Sequence, residues 1–453
     1  DVGNYKKGDL VVDMAQAKRG YANHILYKGS NESAWAAMYA ELLVNFPDMR
    51  GFKAEPIFKD KLFDGKLGEV TALRATRTRD INYSAPYYVI ANTSDSAVKA
   101  VNQAIRQGKK VYLTEDGYIV DTSTFANLLG DYAIYGDALY KVPEGPSLKA
   151  LKVYAPPHQF YWAGVDSPAH TALALKNLGF DIVDTPDEAD VIVLESNKFD
   201  KSILGRKPTI VVGGSAMQRL EKLGVLDGFD AERFSGGSDF EGLMKAIIDD
   251  KDPLTSGYKK NDLFYSNSGN WIAKAPANFK TLATIADSDY YIAGWWPGNE
   301  KLANKIVAIS GNYKEHPLFV YAGNPTNRLH TIHFYRWVSN AVFGDELAEL
   351  KDMPVTHKPS VEIVEILNQK PQPKQAGKPA DKPTAPKVKE KQLESLAQKT
   401  SEAQPIATVQ KATNSQQAQL PQTGSKENSA LFTVATILLA TSGGLFLLKK
   451  KEA

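Results

Sequence analysis

Cysteine is absent from all 453 residues. Neither a disulfide framework nor a thiol-ligated metal site can therefore form, and any folded domain must hold by its core alone. An excess of one charge is missing too: 54 Lys and Arg face 52 Asp and Glu, leaving a formal net charge of +2. Nucleic-acid-binding domains carry a clear basic excess, so no nucleic-acid partner is expected. Histidine is scarce, at seven residues, and none has Glu three positions on; the partners are Tyr27, Tyr161, Leu173, Phe319, His333, Arg336 and Ser360. Also lacking is an initiator Met or a basic-then-apolar leader in Asp1-Val2-Gly3-Asn4-Tyr5-Lys6-Lys7, which leads to the expectation of further residues upstream, a signal peptide or whole domains. What is present is apolar material, 43% of the chain, and at this length it suggests two to three domains.

The most informative stretch lies at the C-terminal end. Leu420-Pro421-Gln422-Thr423-Gly424 is followed by a polar spacer, Ser425 to Ser429, then an uncharged apolar run over 430–448, then Lys449-Lys450-Lys451. As a helix rising ~1.5 Å per residue that run just spans a bilayer core, and the lysines form a cytoplasmic stop. Everything before Leu420 is then outside the cell. This order resembles the cell-wall sorting signal of Gram-positive surface proteins. The resemblance implies that a sortase cuts between Thr423 and Gly424 and joins the Thr423 carbonyl to peptidoglycan, while the transient membrane anchor is discarded. The plain alternative is a membrane anchor preceded by a chance pentapeptide. Any one part alone would be weak; the order at the very end of the chain carries the reading.

Upstream, residues 1–85 read as a partial α/β region. A helical pattern over Glu32 to Asn45 places Trp35, Met38, Tyr39, Leu42 and Leu43 at three- and four-residue spacing, and Gly68 to Arg74 with Arg77 to Arg79 alternate as a strand would. Residues 86–149 read as a small α/β unit. It contains a strand at Tyr87 to Ile90, N-cap candidates at Asn92 to Asp95, a helix over Ala97 to Gln107 stopped by Gly108, a strand at Lys110 to Leu113, and a turn at Asp116-Gly117 before Tyr118 to Val120. From 150 to 345, uninterrupted apolar strands alternate with helices. The strands are Leu151 to Tyr154, Phe180 to Val183, Asp190 to Leu194 and Pro208 to Val212, and one helix runs from Ser167 to Leu178, closed by Gly179. Strands apolar on both faces require cover on both, so a doubly wound α/β domain with a parallel sheet is predicted, its ligand site beyond the carboxyl ends of the strands. Residues 346–419 read as linker and stalk. From Gln369 to Gln419 the chain is Lys, Gln, Pro, Ala, Glu and Thr, too polar to bury a core, so disorder is expected. A stalk just before a wall-attachment site would lift the folded part through the wall, a role that rests on position.

Four blocks within this region carry a further resemblance: Asp252-Pro253-Leu254-Thr255-Ser256-Gly257-Tyr258, Tyr291-Ile292-Ala293-Gly294-Trp295-Trp296-Pro297-Gly298, Ala322-Gly323-Asn324-Pro325-Thr326-Asn327-Arg328, and Asn340-Ala341-Val342-Phe343-Gly344. Together they resemble the C-terminal region of secreted bacterial zinc carboxypeptidases of the carboxypeptidase A superfamily. In those proteins a peptidase domain comes first and a domain resembling class I glutamine amidotransferases follows. The resemblance, over roughly residues 85–345, implies an amidotransferase-like α/β fold here and zinc in an upstream peptidase domain. Such enzymes hold zinc with a His-x-x-Glu pair and a later His, leaving a position open for water. That pair does not occur in this chain. The expectation is thus a sortase-anchored accessory region, with partners sortase, peptidoglycan and the upstream peptidase domain, and with no cofactor, metal or catalytic residue of its own.

Several residues invite a sharper reading. Ser215 in Gly213-Gly214-Ser215-Ala216-Met217 stands where an amidotransferase-like domain carries its nucleophile, but Met217 replaces the usual second glycine and serine needs a base. An ordinary glycine-rich strand-to-helix loop accounts for the same residues, and an amidohydrolase using Ser215 is one alternative function. His330 and His333, expected on one helix face, could bind a metal with Glu315 or His316, while Phe334 and Trp337 argue for packing. Tyr161, Trp162, Trp271, Trp295 and Trp296 could stack on sugars in an adhesin or glycan-binding protein, although core packing serves aromatics equally. Asn324 to Arg328 is a candidate binding loop, with Thr326 or Asn327 as a plain helix cap.

Overall fold

The computed structural model describes residues 4–6, 9–34, 45–59, 61–70, 81–159, 166–167, 169–235, 240–344 and 346–353, all within one compact unit that runs from Asp1 to Ser360. Most of the helix expected over 32–45 lies outside the described residues. So do the strand alternation at 71–80, the pair Tyr161 and Trp162, the stalk, the sorting motif, the apolar run and the terminal lysines.

The N-terminal part contributes α1 (Arg19–Leu26) and α2 (Phe46–Arg50). Of the two, only α2 buries side chains, Pro47 and Met49, and Asn45 caps it by accepting from the Asp48 N–H at 3.1 Å. A second docking point is a short parallel bridge. Glu32 N–H donates to Gly294 O at 2.8 Å, Gly294 N–H donates to Ser30 O at 2.9 Å, and Trp296 N–H donates to Ser33 Oγ at 3.0 Å.

The small unit expected at 86–149 is an antiparallel sheet of β1 (Tyr87–Ile90), β2 (Tyr112–Thr114), β3 (Gly117–Asp121) and β4 (Gly136–Leu139), in the order β2-β3-β1-β4. Two helices cover it, α3 (Asp95–Arg106) and α4 (Thr122–Asp131). Ser94 caps α3 and Gly108, at φ +72°, ends it, as the sequence predicts. Its buried face carries Val98, Val101 and Ile105, each contributing about 1.5–3 kcal/mol on full burial. Tyr88 stacks on Phe125 of α4 with ring centroids 4.2 Å apart. The next strand, β5 (Lys141–Glu144), leaves this sheet and pairs with β20 (Glu349–Asp352), so the chain just past residue 346 returns to the body of the fold.

The large sheet has twelve strands. Its first half contains β6 (Lys152–Tyr154), α5 (His170–Asn177), β9 (Asp181–Val183), β10 (Val191–Leu194), β11 (Thr209–Val212) and α6 (Gly214–Lys222), while β7 (His158–Gln159) and β8 (Asp166–Ser167) form a separate two-stranded ribbon between β6 and α5. The helix expected from Ser167 starts three residues later because Ser167 is taken up in β8. Then comes an unbroken run of strands: β12 (Asp230–Arg233), β13 (Glu241–Ile248), β14 (Asn261–Ser266), β15 (Asn270–Lys274), β16 (Lys280–Ile285), β17 (Tyr291–Trp295), β18 (Ile306–Tyr313) and β19 (His316–Tyr321), before the last helix α7 (Tyr335–Phe343). Five strands are parallel, in the order β9-β6-β10-β11-β19, which is second, first, third, fourth, fifth along the chain. This is one of the two common doubly wound orders. In β10 and β11 every residue is buried, which agrees with a strand covered on both faces.

The prediction of alternating strands and helices up to residue 345 holds only to α6. From β12 to β18 the pairings are antiparallel, and the fold is a mixed α/β sheet. The physical reason is connection length. Lys314-Glu315 alone joins the paired strands β18 and β19, whereas a parallel crossover needs a dozen residues or more. Lys314, at φ +56°, supplies the left-handed residue that such a tight hairpin requires.

The helix α7 is buried along its whole length, as expected of a helix enclosed by the domain. Trp337 stacks on Tyr321 at 5.0 Å and on Tyr258 at 4.9 Å. Buried Asn340 donates to Leu254 O at 3.1 Å and Ser256 O at 3.0 Å, and accepts from Asn92 Nδ2 at 2.9 Å. The neighbouring Gly257 has φ +85°, and a Cβ there would sit 1.7 Å from Asn92 O. Gly257→Ala is therefore expected to cost roughly 2–4 kcal/mol in urea unfolding, whereas Gly224→Ala, at φ +59° in open space, should cost only the left-handed strain of roughly 1–2 kcal/mol. Equal losses would remove the argument from close approach.

Candidate functional site

In a sheet of this order the crevice for a ligand lies at the carboxyl ends of the strands, next to the point where strand order reverses, here between β6 and β10. The side chains at this edge follow from the strand ends. After β10 comes Glu195; after β11, Gly213 to Ser215; after β19, Gly323 to Arg328; and α5, which follows β6, opens with His170 and Thr171.

Glu195 faces α5 across the reversal point. Its Oε2 accepts from the Thr171 N–H at 2.9 Å, and its Oε1 lies 3.7 Å from His170 Nδ1. Ala169, at the cap position of α5, has no side chain to cap with, and Glu195 supplies both the missing acceptor and a negative charge at the helix's positive end. His170 Nδ1 also accepts from the Arg328 N–H at 3.4 Å, and the hydroxyls of Thr171 and Thr326 lie 2.9 Å apart. Thr326 is thus a cross-link to α5, and its side chain does not serve as the plain cap that the sequence suggests for the turn after it. That turn contains Arg328 and Leu329 at φ +45° and +61°, an uncommon strain for two adjacent non-glycine residues.

Gly213 has φ +81° and donates its N–H to Tyr321 O at 3.0 Å. Ser215 follows in the first turn of α6, exposed, as an ordinary helical residue. Among the described residues no histidine or carboxylate hydrogen-bonds to it. The space before the two glycines is filled: a Cβ on Gly213 would lie 2.9 Å from Asn324 Nδ2, and one on Gly214 would lie 1.8 Å from Asn270 Nδ2. Both asparagines belong to a chain of amides. Asn324 Oδ1 accepts from Asn267 N–H at 3.1 Å and Ser268 Oγ at 3.2 Å; Asn267 Nδ2 donates to Asn327 Oδ1 at 3.0 Å; Asn327 Nδ2 donates to Tyr265 OH at 2.7 Å, which donates to Glu241 Oε1 at 2.7 Å. Gln218 Nε2 donates to Asn270 Oδ1 at 3.1 Å. The Gly213 N–H is thus taken by a backbone carbonyl, and the asparagine amides crowd the side of the loop that a side chain on either glycine would occupy, forming a polar plug beside it.

His330 and His333 do not share a helix face. They fall in successive 3-10 turns before α7 and make separate contacts. His330 stacks on Phe46 of α2 at 5.8 Å. His333 lies between α2 and α7: its Nε2 is 2.7 Å from Asp262 Oδ1, its Nδ1 is 3.3 Å from Arg336 Nη2, and a Cβ on Gly51 would be 3.0 Å from that Nδ1. A neutral ring donating from Nε2 and accepting at Nδ1 satisfies both partners. Burial holds the His333 pKa below its ordinary value. Burial alone would raise Asp262, but the hydrogen bond from His333, with help from the Lys259 N–H and Arg336, holds that carboxyl below the usual range. Among the described residues no three His, Asp or Glu side chains could hold a metal together.

Of the candidate aromatics that are described, Trp271 and Trp296 are core: they are 7% and 0% exposed, and Phe234 packs on both, at 5.0 and 6.0 Å. Trp295 is half-buried against Phe240. Sequence reasoning missed the amide plug, the Glu195 cap and the Asp262–His333–Arg336 chain. Only the density of asparagine after strand ends hinted at the first, since the partners are 24 to 71 residues apart.

Comparison with known proteins gives one family. Residues 412–453 match the LPXTG cell wall anchor motif. No curated protein matches the chain. Among solved structures, similarity is found to a putative GMP synthase component from Thermoplasma acidophilum (14% identity, TM-score 0.31, covering 43% of this chain and 92% of that one). A cytoplasmic protein of Salmonella typhimurium (12%, 0.27, 44% and 99%) and a glutamine amidotransferase of Thermotoga maritima (13%, 0.25, 42% and 81%) are also similar. At these TM-scores the strand order, not the likeness, carries the description of the fold. The anchor motif indicates a Gram-positive surface protein, with sortase processing and covalent attachment to peptidoglycan. Among the described residues no helix is long and apolar enough to cross a membrane, and 430–448 lies outside them.

The buried His333 makes a pH test available. Because its folded pKa is depressed, its contribution to stability is complete above the unfolded value near 6.5 and is lost as pH falls toward the folded value. Asp262, also depressed, adds a further loss below its unfolded value near 3.8. Urea midpoints of the wild type are expected to fall between pH 7 and pH 5, and those of His333→Gln to fall less over that window; parallel pH profiles would show that His333 titrates normally.

Proposed function

We propose that this chain is the accessory C-terminal region of a zinc metallocarboxypeptidase-like surface protein, held at the wall through Thr423. The anchor motif carries the location: its order of pentapeptide, spacer, apolar run and lysines leaves Thr423 as the carboxyl end that is joined to peptidoglycan and makes 430–448 a transient membrane anchor. In the intact parent, zinc in an upstream peptidase domain would supply the water that attacks the C-terminal peptide bond of an extracellular peptide. No residue of this chain takes part in that step.

What supports the peptidase parentage is where the four family-like blocks fall. Leu254 and Ser256 of the first receive the Asn340 side chain of the fourth. The second receives the N-terminal segment through Gly294 and Trp296. Asn324 and Asn327 of the third build the plug over the sheet edge. The blocks therefore coincide with the contacts that join the parts of the fold, as expected of accessory domains that support a neighbour, and the covered glycines before Ser215 favour support over hydrolysis.

Protein released by a muramidase from the walls of its own bacterium, measured for intact mass and zinc, tests the parentage. The expected outcome is a mass well above 49.7 kDa and about one zinc per chain, with loss of C-terminal residues from test peptides that a chelator abolishes. A mass near that value without zinc would overturn the proposal. Anchoring is tested separately. Thr423→Ala should move most of the protein from the muramidase-released wall fraction to membrane and medium, and an unchanged wall fraction would exclude Thr423 as the joining residue.

A further inference from the structure

Outside the plugged edge the fold keeps an open cavity of about 550 Å³ where α3 of the small unit meets α5 and β9 of the large sheet. Small-molecule sites commonly fall at ~300–1,000 Å³. Its lining brings Lys99 and Arg106, two turns apart on one face of α3, opposite Lys176 in the last turn of α5, with Tyr132, Asn177 and Asp181 between them.

The three cations are held differently. Lys99 pairs with Asp95 at 2.6 Å, so much of its charge is answered within α3. Arg106 lies over Gly179, whose absent side chain makes room for it: a Cβ there would be 3.2 Å from Nη1, and Nη1 donates to Gly179 O. That contact tethers the exposed guanidinium at one end and spends one of its five N–H donors. Neither Arg106 nor Lys176 has a carboxylate partner among the described residues, and Asp181 is the one acidic residue in the lining. An exposed guanidinium on α3 and an exposed ammonium on α5, lining one cavity, can approach an oxyanion from two elements. A carboxylate is satisfied by a single bidentate arginine, whereas a tetrahedral phosphate offers oxygens in both directions. Tyr132, Asn177 and Ile182 add ring, amide and aliphatic contacts suited to a hydroxylated carbon chain.

We propose that this cavity binds a phosphate group borne on a polyol, with Arg106 and Lys176 as the pair that holds the anion. This assignment is independent of the peptidase parentage, since it rests on α3, α5 and β9 alone. The phosphate could belong to a small soluble ester or to a repeating polyol-phosphate chain of the wall, and the two are separable by valency.

Calorimetric titration of the full chain at low salt, with inorganic phosphate, glycerol 3-phosphate, a glycerol-phosphate oligomer and polygalacturonate as probes, tests the site. Binding of glycerol 3-phosphate that weakens with added salt is expected. Lys176→Glu, an exposed change that leaves Arg106 in place, should weaken it about five- to tenfold or more, and Lys176→Arg should restore it. Tighter binding of the oligomer than of the monomer would assign the wall chain, and equal binding the soluble ester. No binding of any phosphate probe, equal affinity for polygalacturonate, or affinity unchanged in Lys176→Glu would each overturn the proposal, the last whether or not the protein is otherwise intact. Unaltered urea midpoints of the Lys176 variants separate lost binding from lost folding.

Discussion

The fold turns on a buried amide pair. Asn92, at the end of the first strand of the small sheet, and Asn340, in the last helix, are each 1% exposed and joined at 2.9 Å. Their remaining donors take the carbonyls of Leu254 and Ser256, which no other side chain is shown to serve. Buried carbonyls left unpaired would cost about 1–3 kcal/mol each. This set of bonds ties the small unit, the antiparallel strands and α7 together, although Asn92 Oδ1 and Ser256 Oγ, also buried, make no hydrogen bond among the described residues. Gly257 admits the approach, having no side chain where the Asn92 carbonyl passes.

The same logic of satisfied polar groups shapes the carboxyl edge of the parallel strands. A doubly wound sheet leaves backbone donors and helix N-termini at that edge, and many proteins spend them on a ligand. Here part of that edge is answered internally: Glu195 completes α5, the Gly213 N–H donates to Tyr321 O, and Asn324 and Asn270 crowd Gly213 and Gly214. Structure takes up part of this edge, and an open cavity lies elsewhere, where α3 meets α5. Fold alone does not locate function.

The parallel strands, α3 with its Ser94 cap and Gly108 stop, and the turn before Tyr118 were legible because each is specified locally, by apolar runs and by residues suited to caps and left-handed backbone. The antiparallel half was not. Glu241–Ile248 combines a four-residue buried stretch that includes Glu241 with an exposed Lys245, so its periodicity does not reveal the partner strand or its direction. The candidate site was poorly legible for a related reason. Glu195 caps a helix 24 residues earlier, and Asp262 meets His333 across 71 residues. The spacing of His330 and His333 suggested a helical face only because two 3-10 turns cannot be told from one α-turn by sequence.

What the sequence determined by itself is the protein's address. The cell wall anchor motif over residues 412–453 is read by sortase as a linear pattern, and the absence of cysteine alone excluded disulfides. Tertiary structure alone decided which side chains share a place: that Ser215 is an exposed residue in the first turn of α6, that Trp271 and Trp296 are core, and that Arg106 and Lys176 line one cavity. An address is a property of neighbouring residues along the chain. A site is a property of residues brought together across it, and the packing that brings them there is decided by the whole core at once.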